Sequence, residues 1–368
     1  MTLLLKRFRA ALALVTLLAT TAALGALEVR DGKMKLVLHE SLGRFSLYYL
    51  ADLQKGTYVP LFVDTDPRTS CLTLVVDSRV TRLGESSEYQ QETRRTARGA
   101  EFAWKSRLLE VAESFELVTS NASQLADGVR ITVSIKNLGE QALEIGVRVL
   151  LDTYLGEEGS YHFLLDGQKQ LTRETDLTGA LRPSSWVSAK PGEGSSSGLL
   201  CITSGSGVDI PDRIVFANWQ RLNDSSWTFP SSANRGFSNL PYSVNDSAVA
   251  SYHNPRLVPA GTTMTLASIL AASSAGSFGA SGAARNEQPR STNELLSAIA
   301  STANIADPTL AAKTDLGVLD DLLRSIESRL GSAGAATDKD LEALANALRE
   351  LSARVRKYTG VQAQPASP

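Results

Sequence analysis

The feature that most constrains the fold of this chain is a stretch of alternating apolar and polar residues from Arg130 to Gly167. Ile131, Val133 and Ile135 alternate with polar residues, and the same alternation returns from Leu143 to Leu151. Because successive side chains of a strand point to opposite faces, each run predicts a strand with one buried and one solvated face. A short glycine-containing turn separates the two runs, which predicts that they pair as an antiparallel hairpin.

Similar short alternating segments, separated by turn signals, occupy most of the chain from residue 26 to residue 272. Asp31-Gly32 and Asp127-Gly128 are tight-turn dipeptides that separate such segments. Short strands at spacings near ten residues are typical of a sandwich or a barrel. We therefore predict a mainly β fold, a large antiparallel β-sandwich of the supersandwich kind, spanning residues 26–272.

Residues 1–25 have the pattern of a secretory signal peptide. Lys6, Arg7 and Arg9 precede an apolar run from Ala10 to Ala23, and Ala23-Leu24-Gly25 fits a cleavage site of small residues. An uncleaved anchor is the alternative, although the run is short for a spanning helix of about 20 residues. We expect a periplasmic or secreted protein with no transmembrane span in its mature form.

The chain beyond residue 272 changes character twice. Residues 273–290 are small and polar, which predicts a flexible linker, and residues 361–368 are predicted to be disordered. Between them, residues 291–360 carry apolar residues at alternating spacings of three and four, typical of a coiled-coil-like helical hairpin. The predicted assembly seam of this α-helical hairpin consists of Leu316, Leu319, Leu323, Ile326, Leu341, Leu344, Leu348 and Leu351. We expect it to self-associate or to bind an envelope protein.

Two cysteines, Cys71 and Cys201, lie in strand-like runs. In an exported protein they could form a disulfide, which would close a long loop and stabilise the fold. Two separate buried thiols are an equally good interpretation of the same pattern.

Sequence motifs of the common catalytic and cofactor-binding classes are missing from the chain, so no cofactor, no catalytic residue and no metal site is predicted. The three histidines, His39, His162 and His253, are far apart in sequence. Asp64 and Asp66 lie in a segment with turn composition, and calcium would need more oxygen ligands than this segment offers. The formal net charge of −2 indicates no nucleic-acid surface.

Two acidic positions follow the second alternating run. Asp152 and Thr153 come directly after the strand pattern, where an Asp either bonds to its own turn or enters a site, and we interpret the pair as a structural turn. Glu157 and Glu158 follow shortly afterwards and are interpreted as part of a solvated loop.

The most site-like composition lies between Asn218 and Tyr242, where aromatic and basic residues stand among Asn and Ser. Trp219, Arg221, Trp227 and Arg235 are the candidate ligand-binding residues, because aromatic faces beside polar groups suit stacking against sugar rings. A tryptophan buried in the core is the commoner explanation of any single one of these positions.

Three segments carry a family resemblance: LHESLGRFSLYYL, NLGEQALEIGVRVLLDTYLGE and DSAVASYHNPRLVPAGTT. They resemble exported bacterial proteins, especially from spirochaetes, with a supersandwich like that of galactose mutarotases, and the similarity spans roughly residues 27–272. The resemblance implies a carbohydrate-binding-like fold. Mutarotase-like enzymes use a His and a carboxylate on the sugar, but neither matches a position here, so no catalytic residue is carried over.

The missing motifs and the paired leucine seams favour a non-enzymatic envelope protein, so we expect a structural or partner-binding module rather than an enzyme. The alternative is a carbohydrate-binding module or sugar-active enzyme of mutarotase-like fold. A third reading, a structural subunit of a surface or motility apparatus, would need further partners.

Overall fold

The computed structural model describes residues 25–191 and 198–278, together with 311–312, 314–315, 345–346 and 348–354 near the C-terminus. Antiparallel strands dominate this part of the chain, which confirms the predicted fold class. The described strands are β1 (Ala26–Asp31), β2 (Met34–His39), β3 (Arg44–Asp52), β4 (Thr57–Pro60), β5 (Cys71–Val76), β6 (Arg79–Arg82), β7 (Gln90–Thr96), β8 (Gly99–Lys105), β9 (Leu109–Val118), β10 (Gly128–Asn137), β11 (Leu143–Thr153), β12 (Phe163–Leu165), β13 (Lys169–Leu171), β14 (Thr175–Thr178), β15 (Ser185–Ala189), β16 (Gly198–Ile202), β17 (Arg213–Asn218), β18 (Ser247–Val258) and β19 (Thr263–Ala272).

These strands form three sheets. Strands β1 to β4 make a four-stranded meander in sequence order. A nine-stranded sheet has the order β13-β12-β15-β16-β19-β10-β9-β8-β7, and a six-stranded sheet has the order β14-β17-β18-β11-β5-β6. One helix, α1 (Trp219–Asp224), covers the outer face of the six-stranded sheet together with the segment that follows it.

The core lies between the sheets, and alternating residues of each strand supply it. In β10 and β11 the buried positions include Ile131, Ile135, Ile145 and Val147, which are the apolar positions of the alternating runs. Burial of such side chains stabilises a domain by about 1.5–3 kcal/mol each, before the entropic cost of ordering the chain.

The turn between β1 and β2 shows why a glycine follows Asp31. Gly32 has a φ of +57° and an added Cβ would lie 2.2 Å from the backbone nitrogen of Ala126. A residue with a side chain would be strained at this φ, and its Cβ would clash with Ala126 unless the backbone shifted. The predicted turn is therefore confirmed, and a second segment packs against it.

The predicted hairpin between the two alternating runs is wrong. Strand β10 pairs with β9 and β19, whereas β11 pairs with β18 and β5, so the two runs belong to different sheets. The turn between them is an arch across the core, and the Asn137 side chain holds it by donating to the carbonyls of Gln141 at 2.7 Å and Val258 at 2.9 Å. Two strands that pack face to face across a core show the same alternation as two strands paired in one sheet. The alternation therefore does not distinguish the two arrangements.

The two cysteines are free and buried. Cys71 packs in the apolar cluster on the outer face of the six-stranded sheet, and Cys201 lies in the core between the sheets. The structure thus has two separate buried thiols and not the alternative disulfide.

The beginning of the predicted linker is bound to the β-sandwich. The backbone N–H groups of Gly276 and Ser277 each donate at 2.9 Å, to Ser120 Oγ and Asn121 Oδ1 respectively. Phe278 packs against the apolar cluster around Val118. The composition of this segment predicts a linker because its residues are small and polar, but it does not show that the loop at Ser120 and Asn121 binds them.

The described C-terminal residues are helical. Leu351 is buried, Leu348 is half-buried, and the Arg354 guanidinium lies 3.7 Å from the Asp315 carboxylate. The other six seam positions, residues 1–24 of the signal and most of the linker lie outside the described residues. None of the described helices has the length and apolarity needed to cross a membrane.

Candidate acid–base site

Three carboxyl groups gather at one end of the six-stranded sheet, where β11 ends and β18 begins. Asp152 is the penultimate residue of β11, Glu157 follows in the next loop, and Asp246 directly precedes β18. Thr153 pairs with Ser247 across the two strands. Because antiparallel neighbours bring the end of one strand beside the start of the other, residues about 90 positions apart meet here.

Glu157 binds the start of β18. Its Oε1 accepts a hydrogen bond of 2.7 Å from the Ser247 backbone N–H and lies 3.3 Å from the Ser247 hydroxyl. The Glu157 N–H donates to the carbonyl of Tyr154 at 3.1 Å, which closes the turn after β11. Hydrogen bonds of both the backbone and the side chain therefore hold the Glu157 carboxylate in one orientation.

Asp152 is buried and bound to a loop that precedes β5. Its backbone N–H donates to Ser70 Oγ at 3.0 Å, and its carbonyl accepts from Val63 N–H at 3.0 Å. Its carboxyl group hydrogen-bonds with the side chain of Thr69. This carboxyl group is thus removed from bulk water but keeps one polar partner.

Asp246 is joined to the N-terminus of α1. Its carbonyl accepts from Asn218 Nδ2 at 3.0 Å and from Trp219 N–H at 3.1 Å, while its carboxylate bonds with Asn218 and Ser243. Asn218 is fully buried and also caps α1 by accepting from Arg221 N–H at 3.2 Å.

The three groups hold protons more tightly than ordinary carboxylates do. Burial, together with repulsion from Asp246, Glu157 and Asp66, raises the pKa of Asp152 to about 8. Burial and the charge of Asp246 raise the pKa of Glu157 to about 7, and burial also raises the pKa of Asp246. A set of coupled carboxyl groups with separated pKa values can supply a proton donor and a proton acceptor at the same pH.

One aromatic side chain lies beside the carboxyl groups. The half-buried Trp219 donates from Nε1 to the Thr69 carbonyl at 2.8 Å, in the loop that also bonds Asp152. Tyr242, four residues before Asp246 in the chain, is 74% exposed. Its ring offers an exposed apolar face on the loop that leads to Asp246.

The structure relates the four candidate ligand-binding residues in two pairs: Trp219 and Trp227 pack against the same apolar cluster, and the charge of Arg235 acts on Arg221. Only Trp219 lies beside the carboxyl groups. Arg221 forms an ion pair with the buried Glu174 and stacks 4.9 Å from the Phe229 ring centroid. The Trp227 ring packs edge-on against Tyr252 at 5.6 Å. Arg235 is exposed, and a role of these residues in ligand binding stays a prediction.

Two interpretations of the acidic positions are corrected. Asp152 and Thr153 are strand residues and not a self-bonded turn, because their partners Thr69 and Ser247 come from distant segments. Glu157 is half-buried by Ser247 rather than solvated, whereas Glu158 is exposed. Sequence reasoning missed Asp246 altogether, and its only local signal is a carboxylate directly before a strand.

The histidines are dispersed. His39 bonds to Ser46 at 2.9 Å, His162 stacks on Phe237, and His253 lies in the core. Asp66 caps a short 3-10 turn and binds Arg68. Within the described ranges no three His, Cys, Asp or Glu side chains are placed to hold a metal ion.

A second polar surface, the outer groove, lies on the outer face of the nine-stranded sheet. It is a depression of about 470 Å³ whose lining includes Glu92, Arg94, Glu101, Glu110 and Lys136. The Arg94 guanidinium binds the Glu101 carboxylate, so part of its charge is internally paired.

No family model and no curated protein sequence matches the chain. Solved structures do align with it. They include a putative aldose 1-epimerase from Escherichia coli K12, with 14% identity, a TM-score of 0.41, and 67% of this chain and 98% of that chain covered. A galactose mutarotase related enzyme from Lactobacillus acidophilus has 7% identity, a TM-score of 0.42 and coverages of 69% and 100%. An aldose epimerase homologue from C. elegans has 11% identity, a TM-score of 0.42 and coverages of 67% and 98%.

These neighbours have aldose epimerase or galactose mutarotase-like folds, and their names describe sugar-converting enzymes. These names disagree with the expectation of a non-enzymatic protein, which is therefore withdrawn. The identities are too low to assign any residue of this chain, so the site rests on its own geometry.

Proposed function

We propose that the protein is a sugar-active enzyme whose acid–base centre consists of Asp152, Glu157 and Asp246. The observation that carries this proposal is the convergence of three carboxyl groups with raised pKa values at the junction of β11 and β18. General acid–base catalysis is most efficient when the pKa of the catalytic group lies near the working pH.

The pKa values support distinct roles for two of the groups. Asp152, with a pKa of about 8, keeps its proton at neutral pH and is suited to donate it. Glu157, with a pKa of about 7, is suited to accept a proton. Asp246 acts through its charge, which raises the pKa of both neighbours.

The chemistry that fits a donor and an acceptor side by side is the opening of a cyclic sugar at its anomeric carbon. Asp152 gives a proton to the ring oxygen while Glu157 takes the proton of the anomeric hydroxyl, and the ring C–O bond breaks to an open-chain aldehyde. Reclosure on the other face returns both protons and gives the other anomer. The exposed ring of Tyr242 supports a carbohydrate as substrate, because aromatic faces stack on the apolar faces of sugar rings.

The test is the rate at which freshly dissolved α-D-glucose and α-D-galactose reach anomeric equilibrium, followed by polarimetry. We expect the protein to accelerate the reaction of at least one sugar over buffer. Glu157→Gln and Asp152→Asn should each lower the acceleration by about 10²-fold or more, the usual contribution of a positioned acid or base. Glu157→Gln retains an oxygen that can accept from the Ser247 N–H, so the fold should be kept.

The matched control is Glu110→Gln, which removes an exposed carboxylate from the outer groove. It should leave the rate unchanged. The proposal is wrong if neither sugar reacts faster than in buffer, or if the Glu110 variant loses as much activity as the Glu157 variant.

A further inference from the structure

An internal cavity lies between the inner faces of the two large sheets, separate from the carboxyl cluster. It is a cavity of about 50 Å³ between β9, β10 and β19 on one side and β11 and β18 on the other. Its walls are mainly aliphatic and include Val133, Val149, Leu266 and Leu270. A single water needs roughly 10–15 Å³ and benzene fills a cavity of about 150 Å³, so this cavity has room for a few waters or for one organic molecule much smaller than benzene.

Two polar groups that line this cavity have no hydrogen-bond partner among the described residues. They are the indole Nε1 of Trp186 and the Nδ1 of His253, and both atoms are buried. The side chain of Glu113, a residue only 4% exposed, lines the same cavity from β9. Buried polar groups in native proteins are nearly always paired, so two unpaired groups around one cavity point to an absent partner.

Arg44 acts on Glu113 through its charge, which lowers the pKa of the Glu113 carboxyl group. Its guanidinium donates to the carbonyls of Gly43 and Leu83 and to the carboxylate of Glu85. Glu113 also borders a smaller cavity of about 10 Å³ on the Arg44 side, which is too small for more than one water.

The lining restricts the chemistry of an occupant. Aliphatic walls require an apolar body. The Trp186 indole is a donor only, so its partner must be an acceptor such as an oxygen. A charged molecule would lack a counter-ion, because burial keeps Glu113 largely protonated at neutral pH by raising its pKa to about 8.

We propose that this cavity is a binding site for a small uncharged molecule with an apolar body and one oxygen that accepts a hydrogen bond from Trp186 Nε1. Glu113 and His253 complete the polar side of the site, as donor or acceptor to the same oxygen. The lining also includes Pro211 and the exposed Asp209, whose segment is fixed to β19 by Asp209 N–H donating to the Ala267 carbonyl at 2.8 Å. This proposal does not depend on the acid–base centre.

The test uses two probes of equal heavy-atom number, ethanol and propane, which are small enough for the cavity, titrated into the full-length protein. Methyl resonances of the cavity valines and leucines and the indole N–H resonance of Trp186 report binding by NMR. We expect saturable shifts of the Trp186 indole and of Val133 and Val149 with ethanol. The hydrocarbon should bind about tenfold more weakly, since it leaves the buried donor unpaired.

Trp186→Phe removes the donor and should abolish the preference for the alcohol. Trp104→Phe is the matched control, because Trp104 is equally buried but its Nε1 donates to Gln91 Oε1 at 2.8 Å. It should bind both probes as the unaltered protein does. If Trp186→Phe fails to fold, Glu113→Gln with Trp186 retained should still show the indole shift with the alcohol.

Three results would overturn the proposal. One is the absence of saturable shifts at the cavity methyls, which would mean that the cavity holds only water. Another is equal affinity for the two probes, and the third is an equal loss of preference in the Trp104 variant.

Discussion

The Glu157 carboxylate accepts a hydrogen bond of 2.7 Å from the backbone N–H of Ser247, 90 residues further along the chain. This bond joins the loop after β11 to the start of β18, so it links the carboxyl cluster to the main ladder of the six-stranded sheet. It lowers the pKa of Glu157, whereas burial and the charge of Asp246 raise it, and the result is a pKa of about 7.

The coupling between these carboxyl groups is directly measurable. In ¹³C NMR of labelled protein, the Glu157 side-chain carboxyl should titrate with a midpoint near 7. Asp246→Asn removes a neighbouring negative charge and should move this midpoint to lower pH. An unchanged midpoint in the Asp246 variant would show that burial alone sets the pKa.

Glu113 should make the stability of the protein depend on pH. Burial raises its pKa from 4.5 to about 8, so between these values the folded protein holds a proton that the unfolded chain has released. The free energy of unfolding therefore falls as pH rises across this window, by on the order of 5 kcal/mol from this group. Glu113→Gln should remove this fall and be the more stable protein at pH 9.

Urea unfolding of both proteins at pH 5 and pH 9 measures the effect. His253, whose pKa burial lowers to about 4, acts with the opposite sign below pH 6.5 in both proteins and cancels in the difference. Equal differences between the two proteins at both pH values would contradict the assignment.

The arch between β10 and β11 should depend on Asn137. This residue is fully buried, donates to Gln141 and Val258, and accepts from Gly139 N–H at 2.9 Å. Asn137→Ala leaves buried carbonyl and N–H groups unpaired and should lower the free energy of unfolding by about 2–4 kcal/mol. Gln141→Ala removes an exposed side chain from the same turn and should change it by less than about 0.5 kcal/mol, so similar losses in the two variants would refute the role given to Asn137.

Arg148 should anchor the segment that covers the six-stranded sheet. Its buried guanidinium donates to the carbonyls of Leu222 at 2.6 Å and Ser225 at 2.8 Å and lies over the Tyr252 ring. Lysine has a single ammonium group in place of this planar fork, so Arg148→Lys should cost about 2 kcal/mol and raise hydrogen exchange in α1. Arg68→Lys changes a side chain that is 68% exposed and is the neutral control for urea unfolding.

The two thiols give a simple check of the core. Burial raises the pKa of Cys201 to about 12, so this thiol should be unreactive in the folded protein. After unfolding without reductant, both Cys71 and Cys201 should be alkylated, which intact mass spectrometry detects. A mass without additions would instead indicate that the two cysteines are joined.

Much of the fold could be read from single residues and their spacing. The alternation in β10 and β11 identified which side chains are buried, and Asp31-Gly32 identified a turn that only glycine fits. The candidate site could be predicted less well from the sequence. Asp152 was noticed because it follows a strand pattern, but its role depends on Thr69, Glu157 and Asp246, which no local pattern connects.

The sequence by itself determined which face of each strand enters the core, because the period of two is a property of the strand backbone and of side-chain polarity. Only the tertiary structure decided which strands are neighbours, since every strand offers the same backbone donors and acceptors to any partner. Asn137 hydrogen-bonds to Val258, 121 residues away, at the arch between β10 and β11, which belong to different sheets. The same long-range pairing brings Asp246 and Ser247 to Asp152 and Glu157, and so creates the candidate site.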